Sequence, residues 1–302
     1  MKNTPLKYRL NVIGGGLIIF VCLRLYLPQL ARMAGRGANF NIWLLVCMAT
    51  LVLACILPIA FIERMCDFHP MLFKKQLPQT QDLLMVMGSM FIFTALAMVN
   101  SILVTLLGKV GIVFPAQTLE PINSTLTLVL YFVYSAVIPA IFEELFMRGI
   151  VLNLLLPNGR RFAVITSAII FTVMHTQVQS FIPVFGAGIV LACIYLYTDN
   201  IYVSMLLHFV NNAYSFIILY MQQRVNGISA MGFASFVMAV IIVGGGCSLW
   251  WMKKNGITLF ESLQKSGKNS KVSKIFTCPI MVLGLLCCLM SVFAQLYADL
   301  AV

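Results

Sequence analysis

Acidic side chains are the scarcest chemistry in this chain, with nine Asp and Glu in 302 residues against twenty Lys and Arg. All charged residues together make up 10% of the sequence and hydrophobic residues 61%, whereas soluble domains carry roughly 25% charge. That poverty excludes an ordinary soluble globular domain. The expected class is an all-α, polytopic membrane helical bundle of about eight to nine transmembrane helices. Other absences narrow the chemistry. The nine cysteines (Cys22, Cys47, Cys55, Cys66, Cys193, Cys247, Cys278, Cys287 and Cys288) make no C-x-x-C pair. They read as small apolar residues rather than a disulfide framework or a zinc site. No H-E-x-x-H is present. The net charge of +11 has no helix-turn-helix or aromatic-platform context, so no nucleic-acid partner is expected. Neither Gly14-Gly15-Gly16 nor Gly244-Gly245-Gly246 sits in a strand–turn–helix setting, so close helix packing is expected there rather than a phosphate loop.

What the chain does have is apolar length. Nine apolar segments stand out, with cores near 10–30, 41–62, 83–107, 126–152, 162–178, 181–198, 201–220, 228–252 and 279–298. The first follows Lys2, Lys7 and Arg9 like a signal peptide. It is long, however, and Arg32 and Arg36 follow it with no small-residue cleavage site, so a retained helix is expected. With the N-terminus inside, fourteen loop Lys and Arg fall on the cytoplasmic side and four (Arg32, Arg36, Lys109 and Arg224) outside; Arg24 and Arg148 lie within helices. The positive-inside rule therefore predicts a cytoplasmic N-terminus and, for nine spans, an external C-terminus. The expected location is a bacterial plasma membrane, as a multi-pass protein. Residues 63–82, with Phe68, Met71, Leu72 and Phe73, read as a loop, with an interfacial segment as the alternative. Residues 253–277 form a lysine-rich connector that sets topology, with contact to anionic lipid as its alternative role.

Against this background, Pro139-Ala-Ile-Phe-Glu-Glu-Leu-Phe-Met-Arg148 places two carboxylates and a guanidinium within six residues of an apolar run. Intramembrane ionisable groups are functional candidates by default. Glu144 and Arg148 are four apart in the favourable order for an ion pair. Glu143 projects about 100° away on a helix and has no local partner. Two later segments add His175, then His208 with Asn212 one turn further on. Each alone reads as a structural residue or as interhelical glue. Together they are harder to assign to packing.

A hairpin turn at Pro157-Asn158-Gly159 gives a geometric expectation. Glu143 lies sixteen residues before Gly159 and His175 sixteen after it. Both should then stand at one height, ~24 Å from the turn at 1.5 Å per residue. His208 lies only ~12 Å above its own helix start, so the hairpin must project past the membrane face for the levels to agree. A desolvated carboxylate facing an imidazole suits activation of water, with His175 orienting that water or shuttling its proton. His208 and Asn212 can donate hydrogen bonds to a developing oxyanion. Amide hydrolysis within the membrane follows.

Glu143-Glu144-x-x-x-Arg148, Phe171-x-x-x-His175 and His208-x-x-x-Asn212 resemble, in order and without departure from spacing, the three motifs of the CPBP family. These are the CAAX-processing and bacteriocin-processing intramembrane proteases, also called the Abi family. The resemblance covers roughly residues 126–220, a third of the chain. It implies a glutamate-type, metal-independent endopeptidase in which Glu143 and His175 activate water and His208 with Asn212 form the oxyanion site. Arg148 would hold the helix geometry through Glu144. It implies no cofactor; zinc on Glu143, His175 and His208 is the second choice. The expected partners are a peptide or protein substrate, membrane-anchored or not, and the bilayer itself. The expected division is N-terminal helices 1–125, a catalytic core 126–220 and C-terminal helices 221–302. Two rival classes are a non-catalytic scaffold or bacteriocin-immunity factor, and a small proton-coupled transporter. The transporter would ordinarily carry an internal repeat, and no second copy of the acidic motif exists.

Overall fold

The computed structural model describes residues 4–34, 39–70, 78–114, 122–175, 177–224, 227–260, 263 and 271–300. Every regular element among them is helical. The helices are α1 (Leu6–Ala34), α2 (Phe40–Cys66), α3 (Thr80–Lys109), a long composite α4 (Thr125–Asn158), α5 (Arg160–Met174), α6 (Phe181–Thr198), α7 (Ile201–Arg224), α8 (Gly227–Lys254) and α9 (Pro279–Leu300). Their ends carry local signals. Asn39 accepts from the Asn41 N–H at 2.9 Å before α2, and Ser124 accepts from the Thr127 N–H at 3.1 Å before α4, which are N-cap bonds. Asp82 reaches back to the Gln79 N–H at 2.8 Å before α3. Asp67 and Asp199 close α2 and α6 in the left-handed region, at φ 47° and 50°.

Seven of these helices, α1 to α4 and α6 to α8, are long and apolar enough to cross a membrane. This is a polytopic helical bundle and fits an integral, multi-pass membrane protein. Two of the nine expected segments do not qualify as spans among the described residues. The last counts as a shorter apolar stretch, Pro279–Ala294. The fifth forms α5, a helix of 15 residues, ~22 Å long against ~30 Å of hydrocarbon. Its apolar run was expected to reach residue 178. The helix instead ends at Met174, because His175 adopts an extended backbone (φ −88°, ψ 127°). Beyond it, Val178–Ser180 forms a single tight turn that returns the chain into α6.

A buried helix need not span, and α5 is buried. Phe162, Ala163, Val164, Ala168 and Ile170 are each fully enclosed. α5 lies against α6, α4 packs on α2 and α7, and α3 packs on α6 and α8. The second half of α4 is the centre of the core, with Phe146, Ile150, Val151, Leu152, Leu154 and Leu155 fully buried. Two long-range bonds fix this hairpin. Arg9 on α1 donates to the Leu154 carbonyl at 3.1 Å, and Asn100 on α3 donates to the Gln179 carbonyl at 2.7 Å. The glycine runs act as close-packing surfaces. A Cβ at Gly14 would collide with the α9 backbone at Ile280 and Met281, and one at Gly245 would come within 2.6 Å of Phe91 on α3. All nine cysteines are free thiols. Several sequence expectations lie outside the described residues: the stretch Met71, Leu72 and Phe73, and the charges Lys2, Arg36, Lys74, Lys75, Lys265 and Lys268.

Candidate active site

Helix α4 is not a uniform α-helix. Val133–Val137 and Leu145–Leu152 are wider π-helical turns, on either side of the regular segment Ile138–Glu144. The first π segment has a cause in the sequence. Pro139 has no N–H and its ring crowds the preceding turn, and just before it the Ile138 N–H reaches five residues back to the Val133 carbonyl. In the second, Asn153 Nδ2 donates to the carbonyls of Arg148 (2.8 Å) and Gly149 (3.1 Å) and to the Tyr195 hydroxyl (2.7 Å). Those bonds hold carbonyls that a widened turn loosens. π-turns inside α-helices are frequent at functional sites, and here they bracket the two glutamates.

Glu143 and Glu144 diverge as adjacent helical residues must. Glu144 is completely buried. Its Oε1 accepts from Arg148 Nη1 at 2.8 Å and lies 2.9 Å from His208 Nδ1. Arg148 Nη2 donates to the Gly188 carbonyl of α6 at 3.1 Å. From the sequence Glu144 is expected to pair with Arg148; the structure adds His208, through its Nδ1. Only the other ring nitrogen of His208 is then left to face the cavity. Phe171, which the sequence marks only as a motif position, lies among all three. The Arg148 guanidinium stands 4.8 Å from its ring centroid, and the His175 and His208 rings meet it edge-on at 4.5 and 5.9 Å.

Glu143 turns to the other side. Its Oε2 is 3.9 Å from His175 Nε2, too long for a direct hydrogen bond, and has no hydrogen-bond partner among the described residues. His175 Nδ1 lies 2.7 Å from the Phe171 carbonyl. A carbonyl can only accept, so Nδ1 carries the proton, and in the neutral ring Nε2 presents its lone pair towards Glu143. The hairpin turn that brings them together ends at Gly159, whose φ of 113° suits glycine. The His208 ring reaches Glu144, so it stands at the level of the two glutamates.

Glu143, His175, His208 and Asn212 line one cavity of about 790 Å³. Asn211 lines it as well, and its Nδ2 donates to Asn212 Oδ1 at 3.3 Å. That contact leaves the Asn212 amide N–H groups to point elsewhere. Arg24 and Tyr134 also face the cavity. From the sequence Arg24 is only a charge inside a helix, although an arginine in a span is itself a signal. No three His, Cys, Asp or Glu side chains among the described residues are grouped to hold a metal ion.

One comparison with known proteins finds a match, and it falls on this segment. The family model described as type II CAAX prenyl endopeptidase Rce1-like matches residues 125–214, the stretch that carries all the motif residues above. No curated protein and no solved structure matches the chain.

Proposed function

We propose that this protein is an intramembrane endopeptidase of glutamate type, a reading supported by the similarity of residues 125–214 to the Rce1-like family model. It cleaves a membrane-associated peptide or protein, with prenylated CAAX-type chains as the first class to test. One observation carries the mechanism. A carboxylate oxygen and an imidazole lone pair, both acceptors, face each other at 3.9 Å in a cavity. A water between them donates one hydrogen to each, which aims its oxygen lone pair at a substrate carbonyl. Glu143 takes the proton as the C–O bond forms. The same proton then passes to the leaving amine as the C–N bond breaks. Asn212 Nδ2 and the cavity-facing nitrogen of His208 stabilise the oxyanion. With Nδ1 donating to Glu144, His208 can donate from Nε2 only as the doubly protonated ring. Arg148 positions that histidine through Glu144, and Phe171 packs against its ring.

The assay is hydrolysis of a fluorogenic farnesylated CAAX-type peptide by purified protein in detergent. Asn212→Ala is expected to lose ~10²–10³-fold in turnover, as for one oxyanion donor, with a smaller change in KM. An unchanged turnover would remove Asn212 from the oxyanion site. A strong chelator is expected to leave the wild type active. Loss of activity restored by zinc would instead recast Glu143, His175 and His208 as metal ligands.

The core 126–220 carries the chemistry in this proposal, and the helices on either side enclose it. The N-terminus is cytoplasmic, on the loops before α5, where Lys2, Lys7, Arg9, Arg64, Lys74, Lys75, Arg160 and Arg161 fall inside against Arg32, Arg36 and Lys109 outside. A reporter fused after Gly159, beside Arg160 and Arg161, is expected to behave as cytoplasmic. An external signal there would invert the orientation.

A further inference from the structure

Arg24 is the cation to which the proposed reaction gives no task. It lies on α1, outside the segment 125–214. Among the described residues lining the cavity it is the one Lys or Arg, and Glu143 is the one Asp or Glu. Its Nη1 donates to the Tyr134 hydroxyl at 3.4 Å, and its guanidinium carbon stands 5.9 Å from that ring's centroid. One phenol at the long end of hydrogen-bond range is little company for five N–H donors. A charge on an apolar helix is costly unless something pairs with it. Glu143 shares the cavity, but a base that must hold water and accept its proton is ill suited to be a permanent counter-ion.

We propose that Arg24, with the Tyr134 hydroxyl beside it, anchors a carboxylate of the substrate, supplied by its free C-terminus. This rests on the protease function proposed above. The guanidinium fork matches a planar carboxylate in two parallel bonds, which an ammonium or a hydroxyl cannot offer. Placement supports it. Tyr134 stands nine residues before Glu143 on α4, at most ~13 Å along the helix at 1.5 Å per residue. An extended peptide covers ~3.3–3.6 Å per residue. By this axial distance a carboxylate held at Arg24 puts the bond cleaved at Glu143 no more than about four residues upstream. Arg24 would fix where the chain is cut.

Three farnesylated fluorescent peptides of one sequence test this, ending in a free carboxylate, in a carboxamide, or in a carboxamide with Asp as the last residue. Binding is read by anisotropy on Glu143→Gln protein, which prevents turnover; cleavage is read on protein with Glu143 intact. The acid is expected to bind about 10–100-fold tighter than the amide, as for a charge-assisted hydrogen bond, and Arg24→Gln to erase most of that preference. Arg24→Lys keeps the charge but not the fork, so it should retain part of the preference; should Arg24→Gln not fold, this variant decides. Arg24-dependent recovery of affinity by the Asp peptide supports the anchor with a side chain as the source. Equal affinity for acid and amide, or a preference that survives Arg24→Gln, overturns the anchor even if hydrolysis proceeds. An Arg24-dependent preference with no hydrolysis of any peptide keeps the anchor and ends the protease reading instead.

Discussion

Glu143→Gln is expected to lower turnover by ~10²–10⁴-fold, the usual loss of a general base, while the protein folds as before. The substitution keeps shape and volume and removes only the capacity to take a proton. Folding should tolerate it because Glu143, unlike Glu144, has no ion pair with an arginine on its own helix; its closest charged neighbour is His175, at 3.9 Å. The glutamine amide also disrupts the geometry by which water is held. An Nε2–H pointing at the His175 lone pair competes for the acceptor that the water needs. The variant should therefore lose kcat more than it gains in KM, because the interaction removed is made during reaction rather than on binding. His175→Ala should fall by a similar factor, and the double variant by little more than either alone, since both groups hold one water. Hydrolysis of the farnesylated peptide, with thermal unfolding as the control for folding, measures this. Full activity in Glu143→Gln would end the glutamate mechanism outright.

Much of this arrangement is legible in the sequence because membrane helices have few places to hide polar groups. The hairpin count about Gly159 places Glu143 and His175 at one level, and 100° per residue separates Glu143 from Glu144. Both inferences need only helix geometry. What the count misses depends on which helices become neighbours. His208 lies 64 residues from Glu144 in sequence, and Arg24 lies 110 from Tyr134. No periodicity encodes those encounters. The π-turns are partly readable, since Pro139 announces a disturbed turn; Asn153, which holds the second one, looks like any polar residue near a helix end. The early end of α5 is obscured for another reason. Val178 and Phe181 prolong the apolar run beyond His175, and hydropathy averages across a short polar turn. The lateral meeting of α1 with α4, which brings Arg24 to the cavity, is a packing outcome with no local signature.

Glu144→Gln is expected to destabilise the fold by ~3–5 kcal/mol, the consequence of breaking a buried pair on one side. Arg148 is 2% exposed, and without the carboxylate it keeps only the Gly188 carbonyl and the face of Phe171. A neutral amide can still accept one hydrogen bond at Oε1, but it cannot balance the guanidinium charge. The same oxygen serves His208, so the variant that does fold should also turn over slowly. Those two losses have different causes and can be separated. Glu144→Gln with Arg148→Met removes both charges and leaves an apolar side chain in place of the guanidinium. No guanidinium is then left buried without its counter-ion, so part of the lost stability should return. Activity should not return, because His208 still lacks the carboxylate that orients its ring. Thermal unfolding and peptide hydrolysis on the same preparations report the two quantities. Wild-type stability in Glu144→Gln would show that solvent reaches the pair; recovered activity in the double variant would show that His208 does not depend on Glu144.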